Sequence, residues 1–238
     1  MNLALPKPTS ARTVRRLLAG GVVGPLLFMA AMAVEGAFRP GYSAMRNFGS
    51  QLATSSYGWQ QIANFLVLGL IMIGFAAALR QTLRSGIGAT WLPRLVTAFG
   101  AGLLVAGVFP TDPAYGYPPG TPAGPGVSLS WHGAIHGMAG FCAFTALTAA
   151  SFIFAARSAR LRSIGWMIYS ATSGILLMAF FVASWNGADL TGLYQRIAIV
   201  SGWGWLSLFA LHCLRNVNQA AAGPSSPGMS LISPRNAG

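Results

Sequence analysis

Six long apolar segments constrain the fold of this chain more than any other feature of its sequence. They cover residues 17–34, 59–79, 93–110, 131–156, 164–185 and 193–214. A hydrocarbon core about 30 Å thick needs about 20 apolar residues in a helix, which is close to the length of each segment. A water-soluble core is disfavoured, because 54% of the 238 residues are hydrophobic and only 8% are charged. We therefore predict an all-α, polytopic membrane protein with six transmembrane helices in one bundle.

The basic residues predict how this bundle is oriented. Twelve of the fifteen Lys and Arg residues fall on one side of the predicted helices. The remaining three are Arg39, Arg46 and Arg196. The positive-inside rule therefore places both termini and the two short basic loops in the cytoplasm, which fits an integral protein of the bacterial cytoplasmic membrane. The three acidic residues then lie at or beyond the outer membrane surface; they are Glu35, Asp112 and Asp189.

Charge and composition also divide the chain. We predict a basic cytoplasmic N-terminal segment over residues 1–16, a transmembrane domain over 17–214 and a disordered cytoplasmic tail over 215–238, which is rich in Ala, Ser, Pro and Gly. The net charge of +12 does not indicate nucleic-acid binding, because the basic residues lie between apolar segments and act as topology signals. Cys142 and Cys213 are expected at different depths, which disfavours a disulfide.

The most specific local pattern is a pair of histidines at the outer end of the fourth segment. His132 and His136 are four residues apart, so on a helix they share one face. Gly133 and Gly137 form a small-residue stripe beside them, which favours close helix packing. With Asp112 as a third ligand, the pair could hold zinc or iron. The sequence leaves three roles open: a metal site, proton handling or ligand contact, and structural histidines with satisfied hydrogen bonds. No cofactor is predicted outright.

Further polar residues gather at the same predicted end. Arg39 and Arg46 are expected to pair with Glu35, Asp112 or Asp189, and Arg196 is expected to pair with an acidic residue, of which Asp189 is nearest in sequence. Asp112 stands between prolines and is expected to close a turn by accepting backbone N–H bonds. Gln195 begins the last helix beside Arg196. This set is either salt-bridged scaffolding or a pocket for an anionic or lipid head group.

Four sequence blocks resemble the bacterial and archaeal membrane-protein family catalogued as domain of unknown function 998. The blocks are Arg39-Pro-Gly-Tyr42, Gly58-Trp-Gln-Gln-Ile-Ala-Asn64, Gly107-Val-Phe-Pro-Thr-Asp-Pro113 and His132-Gly-x-x-His136. The resemblance implies the six-helix fold over roughly residues 17–214 and leaves the activity open. A more distant similarity to ceramidase-like hydrolases is weakened by the missing third histidine, since His212 is predicted at the opposite membrane face.

Three functions follow as hypotheses. The first is a non-enzymatic membrane protein whose outer polar cluster binds a lipid head group or small solute. The second is a metal-dependent hydrolase that uses His132, His136 and a carboxylate to activate water. The third is a structural or assembly subunit in which the Gly20/Gly24 and Gly133/Gly137 stripes pack against helices of its own or another chain. Expected partners are membrane lipids, and no oligomeric state is predicted.

Overall fold

Six α-helices make up the computed structural model, which describes residues 10–126, 128–186 and 188–222. The helices are α1 Ala11–Phe38, α2 Trp59–Thr82, α3 Trp91–Val108, α4 Trp131–Arg160, α5 Ile164–Ser184 and α6 Thr191–Ala222. Each is long and apolar enough to cross a membrane. No β-strand occurs in the described ranges. The predicted all-α, six-helix, multi-pass membrane fold is confirmed.

The helix ends follow from local sequence signals. Ser10 and Ser130 cap α1 and α4, since their hydroxyls accept the backbone N–H groups of Thr13 and Gly133 at 3.2 and 3.0 Å. The predicted ends of α1 and α6 are corrected. Helix α1 starts at Ala11 rather than residue 17, and α6 continues to Ala222, so residues 215–222 are helical rather than part of a tail. The other predicted terminal regions, 1–9 and 223–238, lie outside the described residues.

The helices form a closed ring in chain order. Each helix packs on its chain neighbours, and α6 returns to pack on α1. Trp203 of α6 fills the centre of the ring, where its side chain is 1% exposed. Its ring centroid lies 6.1 Å from that of Phe28, 4.9 Å from that of Phe99 and 5.3 Å from that of Phe144. Aromatic side chains from four helices therefore close the interior.

The two ends of the ring differ in their connections. One end, called the capped end here, carries the connections 39–58, 109–130 and 185–190 and holds all three acidic residues. The other, called the basic end, carries the connections 83–90 and 161–163. Ten arginines of the described chain lie on this side; they are Arg12, Arg15, Arg16, Arg80, Arg84, Arg94, Arg157, Arg160, Arg162 and Arg215. The molecule is therefore electrically asymmetric along its long axis.

The first connection of the capped end folds back into the ring. It contains a short 3-10 helix, Gly49–Thr54, and buries Asn47, Gln51 and Leu52. These residues close one end of the bundle instead of lying on its surface.

Two further sequence expectations can be compared with the packing. The Gly20/Gly24 stripe packs on α2 of the same chain, because a Cβ at these positions would lie 3.3 and 3.0 Å from Ile71 Cγ2. Cys142 and Cys213 are both free, as predicted.

Candidate functional site

The histidine pair joins α4 to the end of α3. His136 Nδ1 lies 3.0 Å from the carbonyl oxygen of Ala106 and 2.9 Å from that of Phe109, and His132 Nδ1 lies 2.9 Å from that of Pro110. Carbonyls only accept, so both histidines carry a proton on Nδ1, and in a neutral ring Nε2 is the acceptor. Pro110 explains the arrangement, because it lacks the N–H that would otherwise pair with the Ala106 carbonyl. His136 supplies the missing donor.

The described side chains do not have the geometry of a metal site. Among residues 10–126, 128–186 and 188–222, no group of three or more His, Cys, Asp and Glu side chains is placed to hold a metal ion. His132 and His136 use Nδ1 on separate carbonyls, and Asp112 accepts the backbone N–H of Ser130 at 3.0 Å. The three proposed ligands therefore do not form a common coordination shell in this arrangement, and a zinc or iron site stays a prediction.

Asp112 lies against the first turn of α4. A Cβ at Gly133 would lie 2.6 Å from Asp112 Cγ and would overlap its Oδ2. The missing side chain at Gly133 thus makes room for the carboxylate, while a Cβ at Gly137 would meet nothing within 4 Å. The nearest atoms to Gly133 and Gly137 in the described chain do not belong to another helix, so the stripe is not a packing face within the chain, and packing on another chain stays a prediction. Asp112 does accept a backbone N–H, but that of Ser130, eighteen residues away, rather than one in its own turn.

Arg39 fastens the end of α1 to the start of α2. Its guanidinium donates to Ser55 Oγ at 2.8 Å, to the Tyr57 carbonyl at 2.7 Å and to Gln60 Oε1 at 2.7 Å. It also forms the expected ion pair with Glu35, at 3.6 Å. All of these partners belong to the protein itself, which makes Arg39 a structural residue of the capped end.

Arg196 has a different set of partners from the one expected. It donates to the carbonyls of Asn47 and Gly192 at 2.9 and 3.0 Å and to the hydroxyl of Tyr42, over whose ring it also lies. The predicted acidic partner is therefore wrong: within the described ranges no carboxylate pairs with Arg196. Burial raises the pKa of the Tyr42 phenol, and the nearby Arg196 partly opposes this shift.

Two predicted candidates lie on the surface. Arg46 and Asp189 are exposed, and the described part of the chain shows no ion pair for either. The expected pairing of Arg46 with an acidic residue is absent from the described residues.

Buried and half-buried amides hold the loops of the capped end together. Gln195 Oε1 accepts the N–H of Gly49 at 2.8 Å, which ties α6 to the first connection. Gln51 Nε2 donates to the Ala114 carbonyl at 2.7 Å, and Asn47 Nδ2 donates to the Tyr115 carbonyl at 3.1 Å. These bonds lock the connection 109–130 onto the connection 39–58.

A cavity of about 360 Å³ opens between these loops and the turns of α4 and α5 at the capped end. Its polar wall residues include Asp112, which is the only charged residue among them. Its aromatic wall residues are Phe48, Tyr115, Phe181 and Trp185. The remaining polar wall residues are Ser50, Gln51, Thr111, Ser128, His136 and Gln195. Of the predicted candidates, the cavity brings together Asp112, His136 and Gln195 and leaves the arginines out.

A second, smaller cavity of about 50 Å³ lies deeper in the ring and shares Ser50, His136 and Gln195 as wall residues with the first. Gln61 Nε2 and Trp203 Nε1 are buried in its wall and have no hydrogen-bond partner in the part of the chain that the structure describes. The two side chains are 0% and 1% exposed. Two unpaired buried donors are costly, and they mark a place where a hydrogen-bond acceptor would be stabilised.

Sequence reasoning missed Gln61 and Trp203 as site residues. Both lie in apolar helices, where a single amide or indole is normally attributed to the membrane border. The available signal was depth: Trp203 stands in the middle of its apolar segment rather than at an end, where membrane-border tryptophans concentrate.

Comparison with known protein families identifies one whose model matches this chain. The family model described as "Protein of unknown function (DUF998)" matches residues 22–212. No curated protein and no solved structure matches the chain. The matched region contains all six helices in whole or in large part, the histidine pair and the wall of the cavity at the capped end. The chain therefore belongs to DUF998, a membrane-protein family of unknown function.

Proposed function

We propose that this protein is a non-enzymatic membrane protein that binds an amine-bearing lipid head group, or a small solute of the same chemistry, in the cavity at the capped end. The observation that carries the proposal is the composition of the cavity wall. One carboxylate and four aromatic side chains surround the outer cavity, and two unpaired N–H donors lie in the smaller cavity beside it.

The size and wall of the outer cavity favour a cationic group. A volume of about 360 Å³ lies within the range of small-molecule sites. Aromatic faces attract ammonium groups, and Asp112 adds the opposite charge. Arg39 and Arg196 are absent from the wall and satisfied elsewhere. The anionic head group considered from the sequence is therefore a poorer fit than one with an amine.

The deeper donors favour oxygen atoms on the same ligand. Gln61 Nε2 and Trp203 Nε1 can each donate to a phosphate, ester or hydroxyl oxygen, which would remove the cost of leaving them unpaired. A zwitterionic head group such as phosphoethanolamine carries both an ammonium group and phosphate oxygens. It is therefore the probe of choice.

The arginine distribution supports an orientation and a location. We place the basic end in the cytoplasm and the capped end outside, in the bacterial cytoplasmic membrane, because the described arginines are concentrated on the side of the short connections. The cavity then faces the outer leaflet.

No specific observation favours either of the two alternative functions, a metal-dependent hydrolase or a structural or assembly subunit. A metal-dependent hydrolase needs a three-ligand shell, which the described residues do not form. A structural or assembly subunit allows the Gly20/Gly24 stripe to pack on its own chain, as it does on α2, so this packing does not distinguish that function from the others.

The test is a titration of the detergent-solubilised protein with lipid, in which native mass spectrometry measures the bound lipid. We expect phosphatidylethanolamine to bind more tightly than phosphatidylglycerol with the same chains. Asp112→Asn should weaken phosphatidylethanolamine binding by roughly tenfold, because one charge-assisted hydrogen bond is lost while the amide oxygen can still accept from Ser130. Asp189→Asn is the control, since it removes the same charge from an exposed position outside the wall. Equal effects of both variants, or none, would refute the site.

A further inference from the structure

A third cavity, larger than the two at the capped end, lies at the basic end. It has a volume of about 580 Å³ and lies between α1, α2, α4, α5 and α6. Its polar and charged wall residues include Arg84, Arg157, His212 and Asn216. The cavity shares no wall residue with the two cavities of the capped end.

The charge around this cavity is uncompensated. No Asp or Glu lines it, and the three acidic residues of the whole sequence belong to the capped end. Arg157 and Arg84 face a space that their own protein does not neutralise. A basic pocket between transmembrane helices is a recognised way to bind anionic lipid head groups.

Hydrogen bonds to backbone carbonyls position both arginines in the cavity wall. Arg157 Nη1 donates to the carbonyls of Ser85 and Ile87, both at 2.9 Å, and these bonds fix its guanidinium at the cavity wall. Arg84 uses Nε on the Gln81 carbonyl at 3.2 Å, and its two terminal nitrogens have no hydrogen-bond partner among the described residues.

His212 adds a further donor to the same wall. Its Nε2 lies 3.1 Å from Asn216 Nδ2. Because the amide nitrogen donates in this pair, the imidazole Nε2 accepts, and the remaining ring proton is on Nδ1. The wall thus offers two guanidinium groups and one imidazole N–H.

Apolar side chains also line the cavity, alongside the polar residues Gln81, Thr82, Ser158 and Ser163. Trp166, Phe154, Leu83 and Leu161 line the cavity, and Leu161 is 67% exposed. A free inorganic anion would use only the basic part of this space, whereas a phospholipid would place its phosphate among the basic groups and its chains along the apolar wall.

We infer that the cavity at the basic end is a binding site for an anionic phospholipid, held by its phosphate between Arg84 and Arg157. The lipid bridges the connection 83–90, α4 and α6 at the end of the ring where no Asp or Glu of the described residues lines the cavity.

The experiment is native mass spectrometry of the detergent-solubilised full chain titrated with phosphatidylglycerol. Arg84→Glu should weaken binding by roughly tenfold, because it replaces an attracting charge with a repelling one. Arg160→Glu is the matched control: it makes the same charge change at an exposed position of α4 outside the cavity. Binding should remain within about twofold of wild type in this control, because Arg160 is not part of the cavity wall and solvent ions screen its charge from the bound phosphate. Arg84→Gln removes the charge without reversing it. Circular dichroism measures the helix content of both Arg84 variants, so that weaker binding caused by a folding defect can be recognised.

Three outcomes would overturn the inference. Equal losses in Arg84→Glu and Arg160→Glu would indicate only a general charge effect. Unchanged binding in both Arg84 variants would remove the site. Displacement of phosphatidylglycerol by an equal concentration of inorganic phosphate would show that the ligand is a free anion rather than a lipid. Failure here leaves the capped-end proposal standing, because that proposal is tested by Asp112→Asn with a different lipid.

Discussion

The contact between Gly133 and Asp112 gives a prediction that can be worked out in detail. Gly133→Ala places a methyl group where the Asp112 carboxylate lies, 2.6 Å from its Cγ, and the carboxylate must move. The move breaks the 3.0 Å hydrogen bond from the Ser130 N–H. A hydrogen bond to a charged group contributes about 1.5–3 kcal/mol.

Gly137→Ala is the matched control, one turn further along α4. A Cβ there would meet nothing within 4 Å. Replacing Gly by Ala favours a helix by about 1 kcal/mol at either position, so this contribution cancels between the two variants. The free energy of unfolding of Gly133→Ala should therefore be lower than that of Gly137→Ala by about 1.5–3 kcal/mol.

The assay is unfolding of the detergent-solubilised protein by sodium dodecyl sulfate, followed by circular dichroism. Gly133→Ala should also weaken phosphatidylethanolamine binding, because the displaced carboxylate belongs to the cavity wall. Identical unfolding curves for the two variants would refute the reasoning, since the steric argument applies to only one of the two glycines.

The remaining predictions concern the histidine pair and Tyr42. His136→Ala should lower the free energy of unfolding by about 2–3 kcal/mol, because two carbonyls of the α3 end lose their donor, and His132→Ala should lower it by about 1 kcal/mol. The same detergent unfolding assay measures both, and a larger loss for His132→Ala would contradict the assignment. Burial raises the pKa of the Tyr42 phenol, so its contribution to stability is complete below pH about 10 and is lost as the pH rises through the folded-state pKa. Tyr42→Phe should reduce the fall in unfolding midpoint above pH 10, and an unchanged pH dependence would show that Tyr42 does not contribute.

The helices were predictable from the sequence because the membrane sets their length and composition. Continuous apolar segments indicated all six, and Pro110 marked the end of α3. Charged residues proved poor guides to helix ends: α1 includes Arg12 and α6 includes Arg215, since a helix can continue beyond the hydrocarbon layer.

The site was predictable only in part, because hydrogen-bond partners depend on how the loops fold. Asp112, His136 and Gln195 were recognised as polar residues at one end, and they do line one cavity. The pairing expected for Arg39 with Glu35 was correct, whereas the acidic partner expected for Arg196 was wrong. Arg196 is satisfied by backbone carbonyls and by a tyrosine that only the folded connection 39–58 brings near. The role of Gly133 could not be predicted, since its neighbour Asp112 lies across a chain separation of 21 residues.

The central claim is that the cavity at the capped end holds an amine-bearing head group, and photo-crosslinking from its wall tests this most directly. Trp185 lines the cavity and Trp59 is an exposed tryptophan outside it, 63% accessible. Each would be replaced in turn by photo-reactive benzoylphenylalanine in membranes containing phosphatidylethanolamine and phosphatidylglycerol, and the lipid adducts would be identified by mass spectrometry. The account predicts that adducts at position 185 are enriched in phosphatidylethanolamine relative to position 59, and that Asp112→Asn removes the enrichment. The same lipid ratio at both positions, unaffected by Asp112→Asn, would contradict it.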